Sequence, residues 1–456
     1  MQLSSVSRHA IPLLLLALTG GPCEASDAAS GAFASGNYRN LLEERGVPRA
    51  AIEARLEATF QQLFHGEPKT QAIYYAAGAN QNGPLGYVTD IANHDARTEG
   101  MSYGMMVAVQ TGHKAEFDAI WNWANTYMLI TDPKNPAVGY YAWSLNTDGT
   151  LRSDSPAPDG EEYFVMSLYF AAHRWGNATG LYNYRVQADR ILKLMRHHPV
   201  LTATGPFRIH PADPPFSPQR HPDPAAHPGP RTSTVGPMIN EGNTMVVFVP
   251  GAGGNTFSDP SYHLPAFYEL WARWGPVEDR AFWAAAADRS RRFFAQAANP
   301  VTGLAPDYAN FDGTPHRTAF NPTSEDFSYD SWRTVSNWSV DQAWWGKNPA
   351  TRALSDHLQH FLVSQGIHTF SDQYTLDGKP LSHRHSTGMV ATTAVGSLAA
   401  SPGPAADAFI DEVWAAPIPS GEQRYYDGLL YMMSLLHTTG HFRIWMPQPA
   451  SKRDVR

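Results

Sequence analysis

The sequence predicts an all-α protein in which about twelve helices follow one another as six hairpins. Apolar residues recur at helical spacing in about twelve segments, and most of these segments are joined in pairs by short turns. No long strand alternates with them. Successive hairpins can either stack into a solenoid or close into a toroid. The chain has no fixed short repeat, and its longer connections alternate with short ones and carry aromatic residues, which favours a toroid.

The first half of the chain contains five predicted helices. Their periodicity covers residues 38–66, 98–111, 115–129, 161–175 and 182–196. Residues 71–86 are predicted to be a short extended piece with a loop, and residues 132–154 a loop. Residues 201–230 are rich in Pro and His, so we expect them to lack regular structure and to form a long surface loop.

The second half contains seven predicted helices and one short extended run at residues 245–249. The helices are predicted over residues 260–274, 278–297, 329–345, 349–365, 388–400, 404–414 and 425–437. Glycine and proline separate the members of each pair. We therefore expect a single domain over residues 37–445 and a C-terminal tail over residues 446–456.

Composition limits the kind of partner. The chain of 456 residues has 43% hydrophobic residues, which is sufficient for a large core, and a net charge of −8. It has no basic run, which argues against a nucleic-acid surface. No apolar run reaches membrane-spanning length. We expect a monomer that binds neither nucleic acid nor membrane.

The N-terminus predicts export. Arg8 and His9 precede an apolar run at residues 11–18 and then small residues, as in a secretory signal peptide. We expect a signal peptide over residues 1–25 and a linker over residues 26–36. Cys23 is the only cysteine of the chain, so the exported protein would fold without disulfides.

Residues 97–106 present a carboxylate at the start of a helix. Thr98 is predicted to be the N-cap, followed by Glu99. Gly100 and Gly104 lie on one helix face and cost roughly 1 kcal/mol each relative to Ala, so a helix or a ligand should approach closely there. Glu99 would then lie beside an open face. A surface glutamate that stabilises the helix dipole explains this stretch alone equally well.

Two further carboxylates occupy similar positions. Asp159 lies in the turn between Pro158 and Gly160 and has the features of a helix N-cap. Asp330 and Arg333 are three residues apart on one predicted helix face, so they can form an ion pair that favours the ionised carboxylate. A purely structural role explains each of them in isolation.

Taken together, the three carboxylates indicate sugar chemistry. Glycoside hydrolysis needs one protonated carboxyl to assist the leaving oxygen and one carboxylate to act as a base or nucleophile. Aromatic rings next to these helix starts could stack on sugar rings, although any one of them could instead be part of the core. The candidates are Tyr140, Tyr141, Trp143, Tyr329 and Trp332.

Four segments resemble the signature regions of glycoside hydrolase family 8: residues 97–106, 158–164, 256–268 and 329–333. The resemblance covers nearly the whole chain after the linker. It implies an (α/α)6 barrel and hydrolysis of β-1,4-linked glycans with inversion. These expectations agree with the helix count, which was reached separately.

The resemblance also implies roles for particular residues. Glu99 matches the general acid of the family, and Asp330, with its neighbours Tyr329 and Arg333, matches the general base. Asp159 matches the aspartate that holds the sugar at the cleavage subsite. The expected substrate-binding residues are Asp159, Tyr329, Arg333, Trp143 and His385.

Within the family, residues 158–164 and 259–271 are most similar to the reducing-end xylose-releasing exo-oligoxylanases. In that group, a histidine-bearing loop closes the cleft beyond the cleavage site. Residues 381–388 match this loop and His385 matches its histidine, but Arg384 and Ser386 flank it where the group has Leu and Pro. An endo-acting β-1,4-glucanase, xylanase or chitosanase therefore remains an alternative.

A non-catalytic carbohydrate-binding toroid is a second alternative, although all three carboxylates of the family are present. A polysaccharide lyase is a third, although the acidic charge balance speaks against its cationic cleft. His383 and His385 lie two residues apart with no acidic or thiol ligand nearby, so we expect no metal site. The chain has no Gly-rich phosphate loop, and we expect no cofactor.

Overall fold

The computed structural model describes residues 31–213 and 231–448, and these residues are predominantly helical. Twelve of the fourteen α-helices in these ranges have nine or more residues, in agreement with the predicted number. The helices are α1 (Ala32–Ser35), α2 (Leu41–Glu44), α3 (Arg49–His65), α4 (Thr98–Thr111), α5 (Lys114–Trp123), α6 (Pro158–Trp175), α7 (Tyr184–His197), α8 (Pro265–Trp274), α9 (Arg280–Ala297), α10 (Trp332–Trp345), α11 (Ala350–Ser364), α12 (Thr387–Val395), α13 (Pro404–Ala415) and α14 (Arg424–Thr438).

The long helices fall into two classes that alternate along the chain. The helices α4, α6, α8, α10, α12 and α14 are buried on nearly all sides. The helices between them bury one stripe and expose the opposite face, as amphipathic surface helices do. The sequence alternation therefore produces an inner and an outer set of helices.

Each inner helix packs against the next one. The pairs α4–α6, α8–α10, α10–α12 and α12–α14 are in contact, and α14 also packs against α4. Helices α6 and α8 meet through Tyr163 and Phe267, whose ring centroids are 5.1 Å apart. One hydrophobic core extends from Ala32 to Ile444. None of the helices in the described ranges has the length and apolar character needed to cross a membrane.

Within residues 31–213 and 231–448, nine short strands lie in the connections and form four small antiparallel sheets. Strands β1 (Tyr74–Asn80) and β2 (Gly83–Val88) form a hairpin, while β3 (Asp95–Arg97), β4 (Ser144–Asn146) and β5 (Leu151–Ser153) form a three-stranded sheet. The other two pairs are β6 (Leu201–Gly205) with β7 (Arg231–Val235), and β8 (Ile239–Asn240) with β9 (Met245–Val246).

The expectation that residues 201–230 lack regular structure is wrong at their start, because residues 201–205 form β6. Threonines alternate along β6 and β7, and Thr202 bonds to Thr234 and Thr204 to Thr232, each across 2.9 Å. Such β-branched cross-strand pairs stabilise a two-stranded ladder. Residues 214–230 and the predicted signal peptide over residues 1–25 lie outside the described residues.

Several helix boundaries also differ from the predicted ones. The helix predicted over residues 38–66 is divided into α2 and α3 by a turn that contains Pro48, which cannot continue a helix. The helix predicted over residues 115–129 ends as α5 at Trp123 and continues as a π-helix over Ala124–Met128. Residues 144–146 and 151–153, predicted to be loop, are strands β4 and β5.

Neither predicted N-cap is a cap. Thr98 is the first residue of α4, and Arg97 occupies the cap position. Helix α6 begins at Pro158, so Asp159 lies inside its first turn. Proline is well suited to the first helical position because its missing N–H has no partner there in any case.

The glycines at the start of α4 and α6 allow helices to approach closely. A Cβ atom on Gly100 would lie 2.5 Å from the Tyr425 ring, and one on Gly160 would lie 2.4 Å from the Thr98 Cβ. A Cβ atom on Gly104 would lie 2.8 Å from Val88. The bare face predicted on α4 is therefore covered by protein, and the first turns of α4 and α6 are in contact.

Substitution of Gly160 by alanine should test this contact. The added methyl group would overlap Thr98, so we expect the free energy of unfolding of Gly160→Ala to fall by about 1–3 kcal/mol. Gly251→Ala is the matched control, because a Cβ atom at Gly251 has no neighbour within 4 Å. Chemical denaturation of both variants measures the difference, and equal stabilities would contradict the close packing.

Candidate active site

The guanidinium of Arg333 is the centre of a buried polar cluster. The side chain is 3% exposed and lies in the first turn of α10. Its Nη1 donates to Glu99 Oε2 at 2.8 Å and to Asp159 Oδ2 at 3.3 Å. Its Nη2 donates to Asp330 Oδ1 at 3.0 Å and to Ser261 Oγ at 2.8 Å. The structure thus brings together the three carboxylates that the sequence singled out.

These side chains come from four separate places in the chain that meet at helix starts. Glu99 and Asp159 each occupy the second position of an inner helix, α4 and α6 respectively. Asp330 lies two residues before the start of α10, and Ser261 lies in a short 3-10 helix before α8. The positive end of a helix dipole favours a carboxylate, so these positions partly compensate the charges.

The carboxyl group of Glu99 is suited to hold a proton near neutral pH. Its side chain is 15% exposed, and the Tyr425 hydroxyl donates to Oε1 at 3.0 Å. Burial raises its pKa most strongly, the Arg333 charge lowers it, and the charges of Asp159 and Asp330 raise it again, with a net pKa of about 7. Glu99 is therefore a group that can donate a proton at physiological pH.

The side chain of Asp330 is more exposed to solvent than that of Glu99. Its side chain is 30% exposed, and the predicted ion pair with Arg333 is present. Glu99 and Asp330 are bound by adjacent nitrogens of one guanidinium at 2.8 and 3.0 Å. This arrangement keeps their nearest oxygens below the separation of roughly 9.5 Å that limits inverting glycosidases. The more exposed carboxylate can reach a water molecule, and the buried one can donate a proton.

The Asp159 side chain is more buried than those of Glu99 and Asp330, with 10% of its surface exposed. Its Oδ1 accepts from the backbone N–H of Gly160 at 2.9 Å, and its Oδ2 faces Arg333. Burial raises the pKa of Asp159, while the Arg333 charge lowers it and the Asp330 charge raises it. Its contact with the same nitrogen as Glu99 places it next to the proposed acid.

Two buried aspartates behind the cluster were missed in the sequence. Asp259 accepts from the Ser261 N–H at 2.6 Å, and its other oxygen is 4.0 Å from Arg333 Nη2. Asp307 accepts from the Ser331 N–H at 3.1 Å, just before α10. Burial and the Asp330 charge raise the pKa of both carboxyls well above the usual range. Asp259 lies in a segment that resembles the family, whereas Asp307 has no local sequence signal.

Arg97 shapes the strand that leads into α4. It forms an ion pair with Asp95, with Nε 3.1 Å from Oδ2, and a second pair joins Nη1 to Asp90 at 3.2 Å. The guanidinium carbon lies 5.3 Å from the centroid of the Trp143 ring, and the Trp143 carbonyl accepts from the Thr98 N–H at 2.9 Å. Trp143 is partly exposed and is thereby held next to the first turn of α4.

The aromatic residues predicted to stack on sugar rings differ in their exposure to solvent. Tyr329 is 47% exposed and, like Trp143, can contact a ligand. The other three are part of the core and cannot stack on a sugar, which corrects the expectation for Tyr140, Tyr141 and Trp332. The Trp332 indole N–H donates to the Asp372 carbonyl at 2.9 Å, which satisfies its polar group inside the core.

His385 belongs to a loop that packs beside the cluster. Its Nδ1 lies 2.9 Å from the Phe370 carbonyl oxygen, and the side chain keeps partial exposure. The neighbouring Arg384 donates to Asp427 Oδ2 at 2.6 Å and lies 5.9 Å from the Trp332 ring centroid. The loop is thus fixed against the segment that carries Asp330. In the two described ranges, no three His, Cys, Asp or Glu side chains are placed to hold a metal ion.

Comparison with known proteins identifies the class of the molecule. The profile of Glycosyl hydrolases family 8 matches residues 73–220 and 233–440, so the chain belongs to this family of glycoside hydrolases. It is 40% identical over 421 residues to the reducing end xylose-releasing exo-oligoxylanase of Halalkalibacterium halodurans, covering 92% of this chain and 97% of that protein. Rex8A of Paenibacillus barcinonensis, a reducing-end xylose-releasing exo-oligoxylanase, is 39% identical, with 91% and 98% covered.

Solved structures of this family also match the chain. A GH8 xylobiose complex from Teredinibacter turnerae is 48% identical, with a TM-score of 0.84, and the alignment covers 91% of this chain and 100% of that one. A more distant relative is Endoglucanase C of Ruminiclostridium cellulolyticum, which is 25% identical over 83% of this chain and 73% of that protein.

Removal of the central guanidinium should destabilise the protein strongly. Arg333→Met leaves several buried carboxyls without their cation, so we expect the free energy of unfolding near neutral pH to fall by about 3–5 kcal/mol. Arg317→Met is the control, because its ion pair with Glu325 is exposed and should contribute less than about 1 kcal/mol. Urea unfolding compares the two, and similar losses would contradict the central position of Arg333.

Proposed function

We propose that this protein is an inverting glycoside hydrolase that cleaves β-1,4-linked xylo-oligosaccharides and releases xylose from the reducing end. The observation that carries the proposal is the pair of carboxyls on adjacent nitrogens of Arg333, of which the buried Glu99 has a pKa of about 7. Two carboxyls of this kind on opposite sides of a glycosidic bond satisfy the requirements of hydrolysis by inversion.

Each carboxyl has one role in this reaction. Glu99 donates its proton to the glycosidic oxygen as the bond from this oxygen to the anomeric carbon breaks. The Asp330 carboxylate removes a proton from a water molecule, which attacks the anomeric carbon from the opposite face of the ring. The product therefore has the inverted configuration. At the end of one turnover, Glu99 has lost a proton and Asp330 has gained one, and exchange with solvent restores both.

Other residues bind and orient the sugar. Asp159 shares the Arg333 Nη1 atom with Glu99, so it can accept hydrogen bonds from the hydroxyls of the sugar at the cleavage site. Tyr329 and Trp143 retain exposed ring surface for stacking. Arg333 holds both reacting carboxyls at fixed positions, which reduces the reorganisation required during the reaction.

The relatives support xylo-oligosaccharides as the substrate class and the reducing end as the site of attack. One observation favours an endo-acting xylanase as the second candidate. The Teredinibacter turnerae protein, at 47% identity, is described as a xylanase in its xylohexaose complex. The residues on both sides of His385 also differ from the pattern of the exo-acting group.

We further propose that the inner and outer helices form an (α/α)6 barrel, with the active site at the end where α4, α6 and α10 begin. The contact between α14 and α4 and the alternation of buried and amphipathic helices support this arrangement. We also propose that the protein is exported after loss of residues 1–25. The intact mass of the protein recovered from the periplasm or medium tests this, since an unprocessed chain would contradict it.

Hydrolysis of xylotriose should distinguish the two modes of attack. We expect free xylose and xylobiose from xylotriose, and no cleavage of xylotriose whose reducing end has been reduced to the alditol. Proton NMR at early times should show the new reducing end of xylobiose in the α configuration, because inversion of a β linkage gives the α anomer. Cleavage of the reduced substrate would support the endo-acting alternative, and an initial β anomer would contradict inversion.

Glu99→Gln should abolish turnover and keep oligosaccharide binding. The amide has nearly the same shape but cannot supply a proton. In the wild type, kcat/KM should fall as the pH rises through about 7, because Glu99 then loses the proton that it must donate. Measurement of kcat/KM against pH, together with calorimetric titration of the variant with xylohexaose, checks both points. Near-normal activity of the variant would disprove the assignment of Glu99.

A further inference from the structure

A phenylalanine outside the catalytic cluster is unusually exposed. Phe320 exposes 64% of its surface, although burial of such a side chain would normally contribute roughly 1.5–3 kcal/mol. It lies in the segment between Asp307 and Asp330, and the exposed Tyr329 lies at the other end of that segment. Exposed large apolar groups near a polar site often mark binding surfaces.

The Phe320 ring continues a row of aromatic rings that begins at the catalytic cluster. The Arg333 guanidinium carbon lies 5.7 Å from the ring centroid of Tyr262. The Tyr262 and Phe248 centroids are 6.0 Å apart at an interplanar angle of 15°, and those of Phe248 and Phe320 are 5.8 Å apart at 18°. The three rings are thus nearly parallel and evenly spaced, and exposure increases from Tyr262 through Phe248 to Phe320.

The loop that carries Phe320 holds the ring in place. Thr318 Oγ1 accepts from the Asn321 N–H at 3.1 Å and donates to the Asn321 carbonyl at 3.2 Å, which closes a tight turn around Phe320. The Thr318 N–H donates to Ser324 Oγ at 3.1 Å, and this hydroxyl donates to the His316 carbonyl at 2.8 Å. An exposed ring that is fixed before binding loses little conformational entropy when a ligand stacks on it.

We propose that Phe320, supported by Phe248, is a distal sugar-binding platform for a β-1,4-linked xylan chain whose reactive bond lies between Glu99 and Asp330. This inference rests on the proposed function. A pyranose presents an apolar C–H face and a polar rim, so it can stack on a single ring. The row leads from Arg333 through Tyr262 and Phe248 to Phe320 at the surface, so a chain that extends from the cleavage site toward this side of the protein can reach the exposed ring.

A protein partner fits this surface less well. A stable protein interface covers roughly 800 Å² on each partner and has several apolar anchors. Phe320 is one ring at the end of a row that leads into the active site, and Phe248 and Tyr262 behind it are largely covered. Continuity with the catalytic cluster therefore favours the substrate itself as the occupant.

Phe320→Ala should weaken the handling of long substrates selectively. We expect kcat/KM for xylohexaose to fall about tenfold, the size of one aromatic stacking contact, while kcat/KM for xylotriose stays unchanged. In the Glu99→Gln background, calorimetry should show a similar loss of xylohexaose affinity and no change for xylobiose. Phe320→Trp should retain wild-type behaviour because the ring is kept.

Val277→Ala is the matched control, since Val277 is 74% exposed and lies in the turn between α8 and α9, away from the aromatic row. Phe320→Ala and Val277→Ala should both melt at the wild-type temperature. Unchanged xylohexaose kinetics in Phe320→Ala, or an equal loss for every chain length, would overturn the platform. A wild-type protein that cleaves no xylo-oligosaccharide would instead overturn the proposed function, and a Glu99→Gln protein that binds no xylohexaose would overturn both.

Discussion

The active site depends on one buried positive charge that is shared by several acids. A guanidinium as enclosed as that of Arg333 needs anionic partners, and its planar shape allows each of its two outer nitrogens to bind more than one of them. Glu99, Asp159 and Asp330 together carry more negative charge than one cation neutralises. Burial and the charges of Asp159 and Asp330 therefore raise the pKa of Glu99 to about 7, although the Arg333 charge opposes them. This imbalance would separate the acid and base roles that we propose for Glu99 and Asp330.

The fold brings these groups together through the starts of its inner helices. Side chains in the first turn of a helix project from its N-terminal end, so neighbouring inner helices that begin at the same end direct their first residues toward one place. Gly100 and Gly160 allow this approach, because a side chain at either position would collide with Tyr425 or Thr98. The same close contact presses the Tyr425 hydroxyl against Glu99. The same glycines therefore allow both the packing between the helices and the hydrogen bond from Tyr425 to Glu99.

Local signals in the sequence were sufficient for the helices and for one short-range ion pair. Periodicity located the twelve long helices, and spacing alone gave the pair of Asp330 with Arg333. The boundaries were less accurate, because the cap rule favours a small polar residue and takes no account of competing partners. Asp159 lies inside α6 instead of capping it, and it accepts from the Gly160 N–H at 2.9 Å and from Arg333 at 3.3 Å.

Contacts between distant parts of the chain could not be predicted in this way. Tyr425 reaches Glu99 from the last helix, and Asp307 supports the turn before α10 from a long loop. Neither residue has a neighbour in the sequence that indicates its partner. Tyr140 and Tyr141 looked suitable for stacking because turn residues surround them, and only their burial shows that they belong to the core. The roles of Glu99, Asp330 and His385 in the reaction remain predictions.

The ladder of threonines between β6 and β7 has a consequence for the connection between these strands. The two strands pair over five residues each, from Leu201 with Val235 to Gly205 with Arg231, so the segment that joins them leaves and returns at adjacent points. Closing a longer segment between fixed, neighbouring ends adds only a small entropic cost, roughly 0.6 kcal/mol for each doubling of length. We therefore expect this connection to accept added or removed residues without movement of the helices that carry Glu99, Asp159 and Arg333, which makes it a suitable place to attach an accessory segment.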